Sequence, residues 1–180
     1  NMGHPELEDY LDGLDWLVEQ KQGDRDRAGI YGGSYGGFMT FAALFQKHGV
    51  FKAGAALRPV ADWTQYNHEY TSNILNTPDI DPQAYRVSSP IEYAQNLQDN
   101  LLIAHGMMDD NVPVQNTLLV VDALVKANKD FDLLLLPQAR HGFGTGAVGM
   151  YAMRRRWDYF VTHLRKAAPP ADYVIAPATP

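Results

Sequence analysis

Ser34 stands between glycines in the segment Gly32-Gly33-Ser34-Tyr35-Gly36. The apolar run 28–31 precedes this segment and the almost wholly apolar run 38–45 follows it, which predicts a buried strand, a tight turn and a buried helix. Serine at such a turn adopts a strained backbone conformation, and small neighbours let the strand and the helix approach closely. The hydroxyl then projects beside the positive end of the helix, so the segment predicts a nucleophilic serine.

A serine hydroxyl is a poor nucleophile until a base takes its proton, so a histidine and an orienting carboxylate must accompany it. In the α/β-hydrolase fold the acid and then the histidine follow the serine, each on a loop after a later strand. The run 100–105 predicts one such strand and leads to Asp109 and Asp110. The run 131–136 predicts another and leads to His141. The order and the positions of these residues predict a Ser-Asp-His triad.

The residues leave the identity of the acid open, but they distinguish the base from the other histidines. Either Asp109 or Asp110 could reach the imidazole, and the other could cap the helix that Pro113 announces. His105 precedes both acids, the wrong order for the base, and is therefore predicted to be a hydrogen-bonded structural residue. The remaining histidines are expected on helices or helix ends at the surface: His4, His48, His68 and His163.

The same residues resemble the catalytic domain of the prolyl oligopeptidase family, above all its dipeptidyl peptidase IV branch. The resemblance is carried by Gly-Ser-Tyr-Gly-Gly at 33–37, by the stretch 105–112 and by His-Gly at 141–142. It extends over nearly the whole chain, from the helix around Pro5 to the helix around Trp157. It implies a serine peptidase that works through an acyl-enzyme, without a cofactor.

The resemblance also implies individual roles in the triad. Ser34 would be the nucleophile and His141 the general base, and the first aspartate of the pair, Asp109, would be the acid. The backbone N–H of Tyr35 would supply part of the oxyanion hole. In the family the second donor is a tyrosine hydroxyl on an earlier segment, which this chain does not contain.

The stretch 59–71 resembles the segment that lines the proline-binding S1 pocket of the family. The implied substrate-binding residues are Val60, Trp63, Tyr66, Tyr70 and Val112 as pocket walls, and Asn111 as a hydrogen-bond donor to the substrate backbone. An aromatic box suits the rigid, compact ring of proline. The spacing of the three aromatic residues equally fits the apolar stripe of an ordinary helix, which is predicted near 61–70.

The expected activity is cleavage after proline, with release of dipeptides from peptide amino termini. Oligopeptidase, acylaminoacyl peptidase and esterase activities of the same fold stay open, as does an inactive fragment that serves only as a scaffold. The implied partners are a peptide substrate and the amino-terminal remainder of the same polypeptide, including a propeller domain, and a homodimer stays open. The residues do not specify a compartment, and the resemblance implies a periplasmic or secreted protein.

Composition excludes several other classes of function. The net charge of −6 and the pI near 5.4 argue against nucleic acid as a partner. The absence of cysteine excludes disulfides, thiol catalysis and thiolate metal ligands. No grouping of histidines and carboxylates has a metal-site spacing, so no metal is expected. The one basic run, 154–156, is expected to be a solvated face opposite the apolar residues of the last helix: Met150, Met153, Trp157, Phe160 and Leu164.

Helical and strand-like segments alternate along the chain, which predicts the carboxyl-terminal part of an α/β-hydrolase fold, a mostly parallel sheet flanked by helices. Strands are predicted near 27–32, 52–57, 100–105 and 131–136, and helices near 5–21, 35–48, 61–70, 114–127 and 147–166. Residues 1–168 are expected to form the catalytic domain, without its amino-terminal strands and the propeller. Residues 169–180 are expected to form a proline-rich tail.

Overall fold

The computed structural model describes residues 2–173. Within that part of the chain, four parallel strands form one sheet with the order β1-β2-β3-β4: Gly29–Gly33, Ala53–Leu57, Asn100–Gly106 and Asp132–Leu136. The α-helices α1 to α6 are His4–Glu19, Tyr35–Gln46, His68–Leu75, Pro82–Val87, Gln115–Lys126 and Ala147–Arg165. Short 3₁₀ helices lie at Arg25–Arg27, Trp63–Gln65 and Pro90–Asn96. The predicted α/β architecture is confirmed.

The two central strands of the sheet, β2 and β3, are buried on both faces, as their near-continuous apolar sequences predict. Every residue of β2 is buried, and in β3 only Asn100 is exposed. One core cluster packs the aromatic side of α2 against the sheet, and a second packs α6 on the opposite face. Because parallel strands in register end together, the loops after β1, β3 and β4 meet at one edge, where Ser34, Asp109 and His141 stand.

The helix predicted near 61–70 is wrong, because this segment contains two shorter helices. The carboxylate of Asp62 accepts a hydrogen bond from Thr64 N at 2.9 Å and begins the 3₁₀ helix. The side chain of Asn67 accepts one from Tyr70 N at 3.1 Å and begins α3. Such side chains compete with the helical hydrogen bonds of the backbone, so they favour starting a helix over continuing one.

The helix α4 was not predicted from the sequence. It lies within the connection between α3 and β3 and spans Pro82–Val87. Its start follows from two local residues: Pro82 in the first turn, and Asp81, whose carboxylate accepts a hydrogen bond from Ala84 N at 2.9 Å.

The basic run 154–156 on α6 is exposed or partly exposed, in line with the predicted solvated face, but two of its arginines also contact neighbouring side chains. Arg154 forms an ion pair with Asp158 at 3.5 Å, and the Arg156 guanidinium lies 4.3 Å from the centroid of the Tyr31 ring. Trp157, which was expected on the apolar side of this helix opposite the basic run, is 59% exposed. The reason is the position of the helix. Helix α6 packs over β2 and β3. Its side chains on the side of β1 therefore extend beyond the packed core and are exposed.

The outer edge of β1 is lined by exposed apolar side chains. Within residues 2–173, β1 pairs with β2 on one side and has no strand partner on the other. Tyr31 of β1 is 59% exposed and Trp16 of α1 is 56% exposed. Between α1 and β1 runs a groove of about 740 Å³. No helix in the described residues is both long and apolar enough to cross a membrane. Of the predicted tail, residues 174–180 lie outside the described part.

Candidate active site

The backbone of Ser34 lies in a strained conformation between β1 and α2. Its φ of 58° and ψ of −118° are rare for a residue with a side chain. The Ser34 N–H donates to Leu57 O at 3.0 Å, and its carbonyl accepts from Gly37 N and Phe38 N at 3.0 and 3.1 Å. The strand on one side and the helix on the other therefore hold the turn in place. This is the geometry predicted for a nucleophile elbow.

Glycines make this turn possible for steric reasons. A Cβ added to Gly32 would lie 2.5 Å from the carbonyl carbon and oxygen of Gly36, so no side chain fits there. A Cβ on Gly37 would lie 2.9 Å from Pro59, in the loop after β2. The strand, the helix and the next loop therefore touch through backbone atoms, and the serine is carried on a compact, rigid corner.

Asp109 and His141 are joined by a hydrogen bond. His141 Nδ1 lies 2.8 Å from Asp109 Oδ2. The Asp109 side chain is fully buried, whereas that of His141 is 24% exposed. The other carboxylate oxygen, Oδ1, accepts hydrogen bonds from Asn111 N at 3.0 Å and Val112 N at 2.9 Å. The loop after β3 thus orients the carboxylate and leaves Oδ2 facing the imidazole.

Asp110 has a different environment from its neighbour. Its side chain is 66% exposed and forms an ion pair with Arg140. It does not cap α5, which begins at Gln115 without a side-chain cap. Of the two aspartates that the residues alone could not separate, Asp109 is the one that the structure places against the imidazole.

His105 is buried behind Asp109, and its predicted structural role is confirmed. Its Nε2 lies 2.9 Å from Val112 O and its Nδ1 lies 2.7 Å from Thr117 Oγ1. Because a carbonyl can only accept, Nε2 carries the proton and Nδ1 accepts from the hydroxyl. Burial lowers the pKa of this imidazole, against the opposing effect of the Val112 carbonyl and of the Asp109 carboxylate. A neutral His105 therefore supports the loop that carries the acid.

Within residues 2–173, no hydrogen bond joins the Ser34 hydroxyl to the His141 imidazole, whose hydrogen bond goes to Asp109. Catalytic hydrogen bonds of this kind often tighten only when substrate binds. As the first residue of α2, Tyr35 has a backbone N–H without an intrahelical acceptor, beside the serine. In the described part of the chain, no group of three or more His, Asp or Glu residues is arranged to hold a metal ion.

A cavity of about 120 Å³ opens beside the serine. Six residues line it: Ser34, Tyr35, Val60, Trp63, Tyr66 and Tyr70. The Trp63 ring is central, since its centroid lies 5.8 Å from that of Tyr66 and 6.4 Å from that of Tyr70. Its Nε1 donates to Ser88 O at 3.2 Å, which satisfies the buried indole. The volume of the cavity equals that of about four water molecules, at about 30 Å³ each. The cavity is therefore large enough for a compact side chain.

The other two predicted substrate-binding residues lie next to the acid. Val112 is fully buried in the core and Asn111 is exposed, and neither belongs to the lining of the cavity. Both hold Asp109 through their backbone N–H groups. Their proposed contacts with substrate therefore stay predictions.

Two side chains near the site were missed by the sequence reasoning. Tyr35 was expected to contribute only its N–H, yet it also lines the cavity. Glu6, at the start of α1, accepts a hydrogen bond from the Tyr35 hydroxyl. The available signal was the Gly-x-x-Glu pattern at 3–6, which is typical of a helix start and does not indicate a partner 29 residues away.

Comparison with known proteins agrees with this geometry. The sequence pattern of the Prolyl oligopeptidase family matches residues 1–167. The chain belongs to the prolyl oligopeptidase family. It is 37% identical to "Dipeptidyl peptidase 8" of Mus musculus over 144 residues and 36% identical to the Homo sapiens protein of the same name. The predicted resemblance to this family and its dipeptidyl peptidase branch is thereby confirmed.

A solved structure supports the same fold for this family member. The crystal structure of Porphyromonas gingivalis dipeptidyl peptidase 4 has a TM-score of 0.87 and 36% sequence identity, and it covers 91% of this chain. The chain spans 23% of that structure's length. The alignments with the two mammalian relatives cover 78% of this chain and 16% of each relative.

Proposed function

We propose that this chain carries the catalytic site of a serine peptidase that releases dipeptides by cleavage after proline. One observation carries the proposal: the buried Asp109 carboxylate is hydrogen bonded to His141 at the sheet edge where the strained Ser34 stands. Membership of the prolyl oligopeptidase family supports the peptidase chemistry. The names of the relatives support the dipeptidyl type.

The proposed reaction proceeds through an acyl-enzyme. The Ser34 oxygen attacks the scissile carbonyl carbon while His141 Nε2 takes the serine proton. The carbonyl oxygen becomes an oxyanion that accepts a hydrogen bond from Tyr35 N–H. When this intermediate collapses, the C–N bond breaks and His141 returns the proton to the leaving amine. A water molecule then attacks the ester in the same way, which releases the acid and restores Ser34.

Asp109 stabilises the imidazolium that forms in both halves of this cycle. Its carboxylate cannot rotate freely, because two backbone N–H groups bind Oδ1. The remaining oxygen faces His141 Nδ1, so the tautomer with the proton on Nδ1 is favoured and Nε2 is left free to act as the base.

The cavity beside Ser34 is the proposed S1 pocket. Its volume and its lining of Val60, Trp63, Tyr66 and Tyr70 favour a compact apolar side chain, and proline is such a residue. In this proposal Val112 supports the pocket from the core, and Asn111, exposed beside Asp109, donates a hydrogen bond to the substrate carbonyl.

We further propose that catalysis requires a longer polypeptide. The relatives are about four to six times the length that aligns with this chain. In this proposal the domain of residues 1–168 is completed by amino-terminal strands that pair with the open edge of β1, and a propeller domain restricts access. Exposed Tyr31 and Trp16 at that edge support a covering segment. The same edge would also accept a second copy, so a homodimer stays an alternative.

The proposal is tested on the longer polypeptide with a fluorophosphonate probe. We expect labelling at Ser34, mapped by mass spectrometry, and loss of both labelling and turnover in Ser34→Ala. Ser72→Ala, on α3, is the matched control and should behave as wild type. Substrates with a free or a blocked amino terminus then separate the dipeptidyl activity from an oligopeptidase or acylaminoacyl peptidase. Labelling at another residue in Ser34→Ala would refute the assignment.

A further inference from the structure

The Tyr35 phenol is anchored to the first turn of α1. Its hydroxyl donates a hydrogen bond to Glu6 Oε1. The second carboxylate oxygen, Glu6 Oε2, accepts a hydrogen bond from Gly3 N at 3.1 Å. One carboxylate therefore satisfies a free N–H at the start of the helix and the phenol of the residue that follows the serine.

The ring of Tyr35 is held by two aromatic neighbours. Its centroid lies 5.2 Å from that of Phe38 and 5.8 Å from that of Trp63, in tilted arrangements that aromatic pairs favour. Tyr35 also lines the cavity beside Ser34. Contacts with Glu6, Phe38 and Trp63 therefore hold the side chain of a residue that lines the cavity.

The start of the chain also reaches Trp63, through a second route. The buried Met2 N donates to Ser88 Oγ at 3.1 Å, and Ser88 O accepts the indole N–H of Trp63 at 3.2 Å. Gly3 packs so closely on Phe38 that an added Cβ would lie 2.8 Å from the ring. The start of the chain therefore contacts Tyr35 directly, through Glu6, and reaches Trp63 through Ser88.

Electrostatics agree with an ionised carboxylate bound to a neutral phenol. Burial raises the pKa of the Glu6 carboxyl, but the Tyr35 hydroxyl and the backbone N–H groups outweigh it, so the pKa is lowered. Burial and the hydrogen bond to Glu6 raise the pKa of the Tyr35 phenol. Near neutral pH the phenol is the donor and the carboxylate is the acceptor.

We infer that Glu6 is a positioning residue for the proposed S1 pocket and acts through Tyr35. The inference rests on the proposed function, since it concerns the pocket of that same site. Glu6 does not line the cavity. It orients the ring that does, and this ring belongs to the residue whose N–H is the proposed oxyanion donor. Without the Glu6 carboxylate, the Tyr35 hydroxyl would have to donate its hydrogen bond to water instead. The ring could then rotate into the cavity or away from it.

The experiment uses the longer polypeptide with four changes: Glu6→Ala, Glu6→Gln, Tyr35→Phe and the double variant Glu6→Ala/Tyr35→Phe. Glu8→Gln is the control, because Glu8 is an exposed residue of the same helix that pairs with Lys47. The readouts are kcat and KM for matched substrates with proline or alanine before the scissile bond, the rate of fluorophosphonate labelling of Ser34, and the melting temperature.

We expect Glu6→Ala and Tyr35→Phe each to lower the proline-to-alanine ratio of kcat/KM by about tenfold, within the range that pocket misfit produces. Glu6→Gln keeps the side-chain length and one acceptor oxygen, which can accept from the Tyr35 hydroxyl although not from Gly3 N as well. Its proline-to-alanine ratio should stay within about threefold of wild type. The double variant should be no worse than the worse single variant, because the two side chains act as one unit.

Three outcomes distinguish the possibilities. A lower melting temperature in Glu6→Ala with an unchanged proline-to-alanine ratio would overturn the inference and leave Glu6 a helix-capping residue. Additive losses in the double variant would also overturn it, since the residues would then act separately. Absence of Ser34 labelling and turnover in the wild-type protein would overturn the proposed function, and the positioning role with it.

Discussion

The guanidinium carbon of Arg58 lies 5.2 Å from the centroid of the Phe143 ring. Arg58 follows β2, and Phe143 follows the loop residues His141 and Gly142. Both have a left-handed backbone, with φ of 40° and 57°. Arg58 also covers Gly33, where an added Cβ would lie 2.6 Å from Nη2. One side chain thus connects the strand before the nucleophile to the loop that carries the proposed base.

We predict that Arg58→Ala lowers kcat by about three- to tenfold, because a cation–π contact contributes about 0.5–2 kcal/mol and its loss loosens the loop of His141. Arg58→Met keeps an unbranched side chain at this position but loses the cation, and should lose less than Arg58→Ala. The measurement is kcat at saturating substrate. Wild-type kcat in Arg58→Ala would show that the contact does not position the loop.

The two adjacent aspartates should differ widely in their effect on turnover. Asp109→Asn removes the charge beside His141 and favours the wrong tautomer, so we expect kcat to fall by about 10⁴-fold. Asp110→Asn breaks only the exposed pair with Arg140, and we expect a change within about threefold. Both variants are compared by steady-state kinetics at constant ionic strength. Equal losses would leave the acid unassigned.

Two glycines of the turn make a matched pair for stability. Gly32→Ala forces a Cβ against the backbone of Gly36, and overpacking of this kind costs about 1–3 kcal/mol. Gly36→Ala meets no atom within 4 Å and lies in the first turn of α2, where alanine favours the helix. Thermal melting should therefore show a lower transition temperature for Gly32→Ala than for wild type. For Gly36→Ala the transition temperature should be unchanged or slightly higher. A well-folded Gly32→Ala with wild-type labelling would contradict the steric account.

The elements that the sequence predicts well are those with a strong local signal. The apolar runs that became β2 and β3 are buried over nearly their full length, so their hydrophobicity alone predicts them. Ser34, Asp109 and His141 follow the ends of β1, β3 and β4 in that order, so their order along the chain follows from where these three strands end. The prediction of one helix near 61–70 failed because Asp62 and Asn67 each cap a separate, shorter helix. The spacing of apolar residues carries no information about such local side-chain hydrogen bonds.

Other features depend on contacts between residues that are distant in sequence. The choice of Asp109 over Asp110 follows from which carboxylate faces His141, and neighbours in sequence look alike until the loop is folded. The bond between Glu6 and Tyr35 joins α1 to the turn after β1 across 29 residues. Trp157 was expected on the apolar side of the last helix, and its exposure depends on the position of that helix over β2 and β3, which side-chain spacing does not encode.

The last prediction concerns the proposed S1 pocket. If the cavity lined by Val60, Trp63, Tyr66 and Tyr70 receives the residue before the scissile bond, the longer polypeptide should prefer proline, tolerate alanine and reject arginine. Penalties of about 1–3 kcal/mol for a misfit correspond to about 10–200-fold discrimination. A series of chromogenic peptides that differ only at this residue gives the ratios of kcat/KM.

Enlarging the pocket should reduce that discrimination. Tyr66→Ala removes a ring that packs edge-to-face on Trp63 with centroids 5.8 Å apart, so proline loses contact area and larger residues gain room. Tyr151→Ala, an exposed tyrosine on α6, is the control and should leave the ratios unchanged. A wild-type preference for arginine would reject the proline pocket, because it would require a charge among aromatic rings that offer no carboxylate partner. Such a preference would leave the triad standing, since the roles of Ser34, Asp109 and His141 do not depend on which side chain the cavity holds.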